Sequence, residues 1–212
     1  MFWGATGQAI VLNELLHSNG FTLSCLFDKS NQIESPVDGV PIFHTEPELF
    51  DFLKYYDVHY FSVAIGGNGG HHRMAIHEKL TAKGLFPATV FHPKSNIATD
   101  AIINEGSQIL INATVCSRVK IGKQVIINSS ASIDHESIIN DGVHIGPGSV
   151  LSGCVEVGKC TFIGSGTVVL PRIKIGKNSV IGAASTVTKN IPDGVVAYGT
   201  PCKIMGKTNQ KT

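Results

Sequence analysis

Aliphatic residues recur every six positions along the second half of the chain. Sixteen consecutive hexads, which together cover residues 97–192, each open on Ile, Val or Leu. A small or β-branched residue stands four positions after every opening residue, as Ala113 and Ser149 do. A period of six fits neither an α-helix nor an alternating strand. It predicts a coil of three short strands and three tight turns, with three hexads in each coil.

We expect both repeated positions to point inward and to stack on the same positions one coil away. Gly or Asn often follows the opening residue, as Gly122, Asn128 and Gly158 do. Such residues tolerate positive backbone dihedral angles, so we expect them to form the tight corners. With coils ~4.8 Å apart, the sixteen hexads would build a prism roughly 25 Å long. The second half of the chain is therefore predicted to be a parallel β-helix.

The first ninety residues lack this rhythm and alternate between strand and helix patterns. Such alternation predicts a small parallel sheet with helices on its faces. We therefore expect two domains, residues 1–90 and residues 91–205, followed by a tail at residues 206–212. After an apolar start at residues 1–3, the predicted elements are a helix ending near residues 19–20, strands at 22–27, 40–43 and 60–65, and helices at 49–55 and 71–83.

Polar and small residues in the first domain indicate a ligand cleft. Gly4 and Gly7 stand where the first strand turns into the first helix, and a helix N-terminus there favours phosphate. Because these two glycines do not complete a G-x-G-x-x-G fingerprint, a tight turn without a ligand is the alternative. Asp28, at the end of the second strand, either accepts from a ribose or sugar hydroxyl or is a surface carboxylate. Asn68, in the loop after the third strand, is expected to face the same cleft.

Composition excludes several classes of protein. The formal net charge is +1, and nothing in the charge pattern favours a nucleic-acid or anionic membrane partner. No apolar run has the length of a membrane span, and the N-terminus has no secretory pattern. Five cysteines without a C-x-x-C pair are typical of reduced thiols. The sequence therefore predicts a cytoplasmic protein that binds neither nucleic acid nor membrane.

One triplet in the coil, Asp134-His135-Glu136, has the composition of a proton-transfer site. A neutral histidine accepts a proton near physiological pH, and a carboxylate on its other ring nitrogen fixes the tautomer. We favour Glu136 as that carboxylate, because Asp134 follows the opening residue, where acids are common for structural reasons. The alternative is that His135 is a solvated corner histidine.

Together, the motifs of both halves resemble a family of bacterial hexapeptide-repeat sugar acetyltransferases. This family includes UDP-4-amino-sugar (bacillosamine) N-acetyltransferase, perosamine N-acetyltransferases and sialic-acid O-acetyltransferase-like proteins. The resemblance covers nearly the whole chain. It implies an α/β Rossmann-like N-terminal domain followed by an all-β left-handed parallel β-helix. The motifs are Gly4-Ala5-Thr6-Gly7, Ala64-Ile65-Gly66-Gly67-Asn68, the hexads, Ile133-Asp134-His135-Glu136 and Tyr198-Gly199-Thr200-Pro201.

The resemblance also implies the chemistry and the residues that perform it. Acetyl-CoA would be the co-substrate, without a metal, in a homotrimer whose active sites lie between subunits. The N-terminal domain would hold the nucleotide-linked sugar. His135 matches the general base of the family, and Glu136 matches its supporting acid. The residues that match acetyl-CoA contacts are His144, Gly153, Ser165, Gly182 and Ala183. Those that match sugar-nucleotide contacts are Thr6, Gly7, Asp28 and Gly66.

The period of the coil adds a geometric expectation to these matches. His135 and Gly153 are one coil apart, so they should stack and leave room for a thioester beside the imidazole. His144 is half a coil from His135 and should lie on another face. A site that uses both histidines must therefore combine residues of two chains.

These observations favour acetyl-CoA-dependent N-acetylation of a UDP- or GDP-linked 4-amino sugar for a surface glycan. O-acetylation of a sugar is the second possibility, because amine and hydroxyl acceptors need the same base. A zinc hydratase built on the same coil would need three converging histidines, whereas the coil has only His135 and His144. The pattern also permits a non-catalytic coil or a nicotinamide-dependent enzyme. Gln8 and Lys29 depart from the family pattern, which leaves the sugar itself open.

Overall fold

A computed structural model describes residues 1–208 of the 212-residue chain. An α/β sheet with three α-helices comes first, and a long triangular β-helix follows it. Of the predicted tail at residues 206–212, the last four residues lie outside the described residues. Within the described part, no helix has both the length and the apolar character needed to cross a membrane.

The N-terminal elements form a five-stranded parallel sheet in the order β3-β2-β1-β4-β5, with the first strand at its centre. This is the order in the first five strands of doubly wound dinucleotide-binding sheets. The turns after the first and fourth strands therefore lie side by side at the carboxyl ends of the strands. The elements are β1 (Phe2–Trp3), α1 (Gly7–Leu16), β2 (Leu26–Phe27), β3 (Ile42–Phe43), α2 (Glu46–Tyr55), β4 (Tyr60–Val63), α3 (Gly70–Thr81) and β5 (Phe86–Pro87).

The predicted strands and helices of this half are all present, but their bounds differ. The strand predicted at residues 22–27 is shorter, Leu26–Phe27. Its neighbours β1 and β3 are only two residues long, so only two residues of this strand can pair with them. Helix α2 begins at Glu46, three residues earlier than predicted. Thr45 provides an extended N-cap there, and Pro47 in the first turn is compatible with a helix start.

Three sheets of parallel coil strands form the sides of the β-helix, as predicted. Each two-residue strand pairs with the strands one coil before and after it, eighteen residues away, as Val115 pairs with Ile133. The coil begins at Val90–Phe91, one hexad earlier than predicted. The six-stranded sheet contains β7 (Asn96–Ile97), β10 (Thr114–Val115), β13 (Ser132–Ile133), β16 (Val150–Leu151), β19 (Val168–Val169) and β22 (Thr186–Val187). The five-stranded sheet contains β8 (Ile102–Ile103), β11 (Lys120–Ile121), β14 (Ile138–Ile139), β17 (Glu156–Val157) and β20 (Lys174–Ile175).

The third side is an eight-stranded sheet that includes the C-terminal cap. Strand β23 pairs in parallel with the last coil strand of this sheet, and β24 covers β23 in antiparallel fashion. This pairing protects the edge of the open coil from pairing with another chain. The sheet contains β6 (Val90–Phe91), β9 (Gln108–Ile109), β12 (Ile126–Ile127), β15 (His144–Ile145), β18 (Phe162–Ile163), β21 (Val180–Ile181), β23 (Val195–Tyr198) and β24 (Lys203–Lys207).

The interior of the coil is filled by the two repeated positions, which confirms their predicted orientation. Ile109, Ala113 and Val125 are fully buried in one continuous cluster. Only near the first coil are opening residues partly buried, at Ile97 and Ile103. Each fully buried aliphatic side chain contributes about 2 kcal/mol to folding.

Positive φ angles occur at the corners, but at different positions of the hexad from those predicted. These angles occur three positions after the opening residue, at Arg118, Glu136 and Cys154 for example, with φ of 58°, 59° and 61°. The glycines directly after the opening residue have another purpose. A Cβ at Gly158 would lie 2.4 Å from the backbone nitrogen of Lys177 in the next coil. The predicted corner role of these glycines is therefore wrong, because they permit close approach between coils.

Helix α3 docks the N-terminal domain onto one corner of the β-helix. A Cβ at Gly70 would lie 2.4 Å from the carbonyl oxygen of Gly142, so the backbones are in close contact. The fully buried Arg73 donates hydrogen bonds to the carbonyl oxygens of Ile65, Gln124 and Gly142 at 3.1, 3.0 and 2.6 Å. Burial lowers the pKa of Arg73 to about 10, so the guanidinium is still charged at neutral pH.

Helix α1 completes the interface between the two parts of the chain. Its buried Leu12 shares one apolar cluster with Leu110 and Ile126 on the outer face of the eight-stranded sheet. Beside this cluster, Gln8 Nε2 donates to Gln108 Oε1 at 2.8 Å. The cleft of the α/β domain is therefore held in one orientation on the coil.

Replacing Arg73 with Met should lower the free energy of unfolding by about 3–5 kcal/mol, because three carbonyl oxygens, two of them in buried hydrogen bonds, lose their donor. Thermal and urea unfolding measure this change. Arg118→Met is the matched control, since Arg118 is exposed and should change stability by less than about 1 kcal/mol. Equal stability of the two variants would contradict the docking role of Arg73.

Candidate active site

His135 lies at an exposed corner of the coil, between the six-stranded and five-stranded sheets. Its side chain is 53% exposed, and its Nδ1 lies 3.3 Å from Glu136 Oε2. In the neutral ring this contact places the proton on Nδ1, because a carboxylate only accepts, and the lone pair on Nε2. The corner therefore presents the basic ring nitrogen of an oriented imidazole to the outside of the chain.

The geometry distinguishes the two carboxylates that flank His135. Asp134 Oδ1 accepts a hydrogen bond from the backbone nitrogen of His135 at 2.7 Å, so this side chain stabilises the corner locally. Asp134 also lies beside Cys116 and, after burial, contributes to the raised pKa of that thiol. Only Glu136 contacts the imidazole, and its Oε1 lies 3.5 Å from a guanidinium nitrogen of Arg118.

Gly153 stacks beneath the imidazole, one coil later, as the period predicts. A Cβ at this position would lie 2.4 Å from His135 Nε2, so no other residue fits without moving the ring. The space above Gly153, which the sequence predicts to receive a thioester, is therefore occupied by the imidazole ring itself. A larger residue at position 153 would therefore push the imidazole ring out of its place.

Cys154 is a member of this cluster that the sequence did not identify. Its Sγ lies 4.0 Å from Glu136 Oε2 and 4.0 Å from a guanidinium nitrogen of Arg172. The ligand atoms of His135, Glu136 and Cys154 all lie within 4.8 Å of one another, a grouping able to hold a metal ion. The one sequence signal was the eighteen-residue spacing between positions 136 and 154.

His144 has a different environment from His135. It is 5% exposed, and its ring nitrogens contact Asn128 Nδ2 at 3.0 Å and the Gly67 carbonyl oxygen at 3.3 Å. Nδ1–H therefore donates to Gly67, and Nε2 accepts from Asn128. Burial, with a smaller contribution from the charge of Arg73, lowers the pKa of His144 to about 3. This imidazole is neutral and holds the glycine loop of the α/β domain against the coil.

The α/β domain contains a cavity of about 530 Å³ at the edge where β1, β2 and β4 end. Of the predicted sugar-nucleotide residues, Thr6, Asp28 and Gly66 line it. Gly7 is the first residue of α1 beside Thr6, and a Cβ there would meet no atom within 4 Å. Asn68 is exposed in the loop after β4 and is not among the residues that line the cavity.

Asp28 supports the glycine turn from inside this cavity. Its two carboxylate oxygens accept hydrogen bonds from the backbone nitrogens of Ala5 and Ser30, at 3.1 and 3.0 Å. The partly exposed carboxylate retains further lone pairs for a ligand hydroxyl. Gly4 is needed for close approach, since a Cβ there would lie 2.5 Å from the carbonyl oxygen of Ala64.

The remaining predicted acetyl-CoA residues lie at another corner of the coil. Ser165 and Ala183 are exposed and stack one coil apart, beyond the opposite edge of the six-stranded sheet from His135. Gly182 packs against the cap, where a Cβ would lie 2.7 Å from Tyr198 Cβ. Within one chain, the predicted residues therefore form three groups: the His135 corner, the Ser165 corner, and the α/β cavity with the glycine loop that His144 contacts.

Comparison with known proteins identifies the class of this fold. The family model of the bacterial transferase hexapeptide (six repeats) matches residues 154–189. GDP-perosamine N-acetyltransferase of Escherichia coli O157:H7 is 30% identical over 113 residues, which are 53% of this chain and 50% of that relative. The chain thus matches about half the length of this curated relative.

Among the solved structures that match over almost the whole chain are two with a bound coenzyme. PerB from Caulobacter crescentus in complex with CoA and GDP-perosamine has a TM-score of 0.89 and 30% identity, covering 97% of this chain and 96% of that one. The acetyltransferase domain of PglB from Neisseria gonorrhoeae FA1090 in complex with acetyl coenzyme A has a TM-score of 0.85 and 28% identity. That match covers 96% of this chain and 97% of the other.

The chain belongs to the bacterial hexapeptide-repeat sugar acetyltransferases, and its coil is of the left-handed β-helix type. It is therefore an acetyltransferase, as the sequence predicts. Acetyl-CoA as the co-substrate is confirmed at the level of the family, because the matched structures contain CoA or acetyl coenzyme A. The roles of individual residues stay predictions.

Stability should decrease in acid because of His144. Its folded pKa, about 3, is below its ordinary value of 6.5, so the unfolded chain binds the proton first as the pH falls. The stabilisation is complete above pH 6.5 and is lost progressively below it, by about 2 kcal/mol between pH 7 and pH 5. Urea unfolding of the native protein and of the His144→Gln variant, at pH 7 and at pH 5, measures this loss of stability. An equal decrease in the two proteins would contradict it.

Proposed function

We propose that the protein transfers an acetyl group from acetyl-CoA to the amine of a nucleotide-linked amino sugar, a UDP- or GDP-linked 4-amino sugar used for surface glycans. The observation that carries this proposal is the oriented imidazole of His135 at an exposed corner, with Glu136 on one ring nitrogen and Gly153 beneath the other. The complex of the similar PerB with CoA and GDP-perosamine supports the substrate class.

The α/β domain, Rossmann-like in its strand order, is proposed to hold the nucleotide-linked sugar. The N-terminus of α1 at Thr6 and Gly7 faces the same edge of the sheet as the cavity, which suits a diphosphate. The proposed domains are residues 1–90 and 91–205. Strand β24 runs to Lys207 and so extends the second domain into the predicted tail.

His135 is proposed to act as the general base of a direct transfer. Bound acetyl-CoA supplies an activated thioester, so the protein must mainly position the amine and remove its proton. His135 Nε2 takes this proton while Glu136 holds Nδ1–H and stabilises the imidazolium that forms. Exposed small residues such as Ser165 and Ala183 leave space for a long ligand along the neighbouring corner.

We infer that the active site lies between subunits of a homotrimer. The base is at the corner after the six-stranded sheet, whereas α3 fixes the cavity at the next corner of the same chain. A second chain can bring its cavity to an exposed His135 corner without any change of fold. The five free thiols support the cytoplasm as the place of this reaction.

N-acetylation is favoured over O-acetylation of a sugar. The proteins similar to this chain include the GDP-perosamine N-acetyltransferase of Escherichia coli O157:H7 and PerB, whose structure contains GDP-perosamine. The His135 corner itself suits both reactions, because an amine and a hydroxyl both lose a proton to the base.

His135→Ala should lower kcat by about 10²–10⁴-fold, since the attacking amine loses its proton acceptor. Release of free CoA thiol from acetyl-CoA, with a panel of nucleotide-linked amino sugars, measures the rate. Cys154→Ser is the matched control from the same corner and should retain native kcat, because direct transfer needs no nucleophilic side chain. A loss of turnover in Cys154→Ser that equals the loss in His135→Ala would refute direct transfer.

Mixing two inactive variants tests whether the site is shared. His135→Ala lacks the base, and Thr6→Trp fills the cavity without removing a cap, since the Thr6 side chain makes no capping hydrogen bond. In randomly mixed trimers, about a quarter of the subunit pairs combine an intact base with an intact cavity. Activity should therefore return to about a quarter of the native rate. If base and cavity came from one chain, no mixture would be active.

A further inference from the structure

One end of the α/β cavity carries an ion pair that acetyl transfer does not explain. Both carboxylate oxygens of Glu46, the first residue of α2, accept hydrogen bonds from Lys79 Nζ. The ammonium group also lies 5.5 Å from the ring centroid of Trp3. All three residues line the cavity, and the two charged side chains are only 31% and 40% exposed.

This ion pair lies far from the end of the cavity that suits a diphosphate. Thr6 and Gly66 belong to the two glycine turns, and Gly70 begins α3 directly after the second turn. Lys79 stands nine residues further along α3, ~14 Å along the helix axis. A nucleotide whose phosphates lie at the glycine turns would therefore extend its base toward Glu46 and Lys79.

We propose that Glu46 and Lys79 select guanine as the base of the nucleotide-linked substrate, an inference that rests on the proposed function. A carboxylate presents two acceptor oxygens side by side. Guanine offers two adjacent donors, N1–H and the N2 amino group, and beside them the acceptor O6. Glu46 accepts from both donors, and Lys79 turns from the carboxylate to donate to O6.

The other common bases leave one oxygen of Glu46 opposite an acceptor. Uracil and thymine have a single N3–H between two carbonyl oxygens. Adenine and cytosine place an amino group beside an unprotonated ring nitrogen. An acceptor that loses water and finds another acceptor destabilises the complex. The tilted rings of Trp3 and Phe27, whose centroids are 4.2 Å apart, provide an apolar wall beside the base.

Calorimetric titration of the full-length protein with nucleoside diphosphates tests this selection. GDP should bind at least about tenfold more tightly than inosine diphosphate, which lacks only the N2 amino group, and also more tightly than UDP. An equal affinity for GDP and UDP would overturn the proposal.

The substitution Glu46→Gln should change the preferred base. Its amide presents one acceptor and one donor, which match N1–H and O2 of xanthine. This variant should lose about tenfold in affinity for GDP and bind xanthosine diphosphate more tightly than the native protein does. Glu48→Gln is the matched control, on the same helix but exposed and outside the cavity. Unchanged base preference in Glu46→Gln would also overturn the proposal.

The acetyl-transfer assay separates this inference from the proposed function. Equal turnover of UDP-linked and GDP-linked forms of one amino sugar would refute guanine selection and leave the transferase reaction in place. Selective GDP binding without thiol release from any nucleotide-linked amino sugar would refute the reaction and leave guanine selection in place.

Discussion

The eighteen-residue register between coils is the constraint on which the rest of the structure depends. Because every residue lies over the one eighteen positions later, one period decides which side chains face inward and which stack at corners. It places the imidazole of His135 on Gly153 and aligns Gln124 with Gly142 at the corner where α3 docks. A slip of one residue would turn the aliphatic positions outward. The apolar core therefore maintains the register, and the register maintains the site.

Two histidines half a coil apart show how the same scaffold creates opposite environments. His135 is exposed and paired with a carboxylate, which suits a group that gains and loses a proton. His144 lies under the α/β domain between Gly67 and Asn128, and burial keeps it neutral. The first is proposed to be the catalytic base, whereas the second fixes the loop that borders the cavity. Rigid docking thus links the position of the α/β cavity to the coil.

The period alone predicted the coil, its inward positions and the stacking of His135 on Gly153, because these follow directly from spacing. It misassigned the glycines after the opening residues, since spacing does not distinguish a positive dihedral angle from close approach. The docking of the α/β domain could not be predicted either. Arg73 binds carbonyl oxygens, which every residue has, so its partners leave no signal in the sequence. The contacts of Cys154 and of the pair Glu46–Lys79 depend on side-chain directions, which the sequence does not encode as a pattern.

The proposed division of the molecule into a base on one corner and a sugar pocket on another has a direct structural test. The measurement is a crystal structure of the assembled protein with CoA and a GDP-linked amino sugar bound. We expect the sugar amine to lie ~3 Å from His135 Nε2 of one chain while its nucleotide occupies the α/β cavity of a neighbouring chain. A sugar amine that contacts no imidazole, or a nucleotide and a His135 that belong to the same chain, would contradict a site shared between subunits.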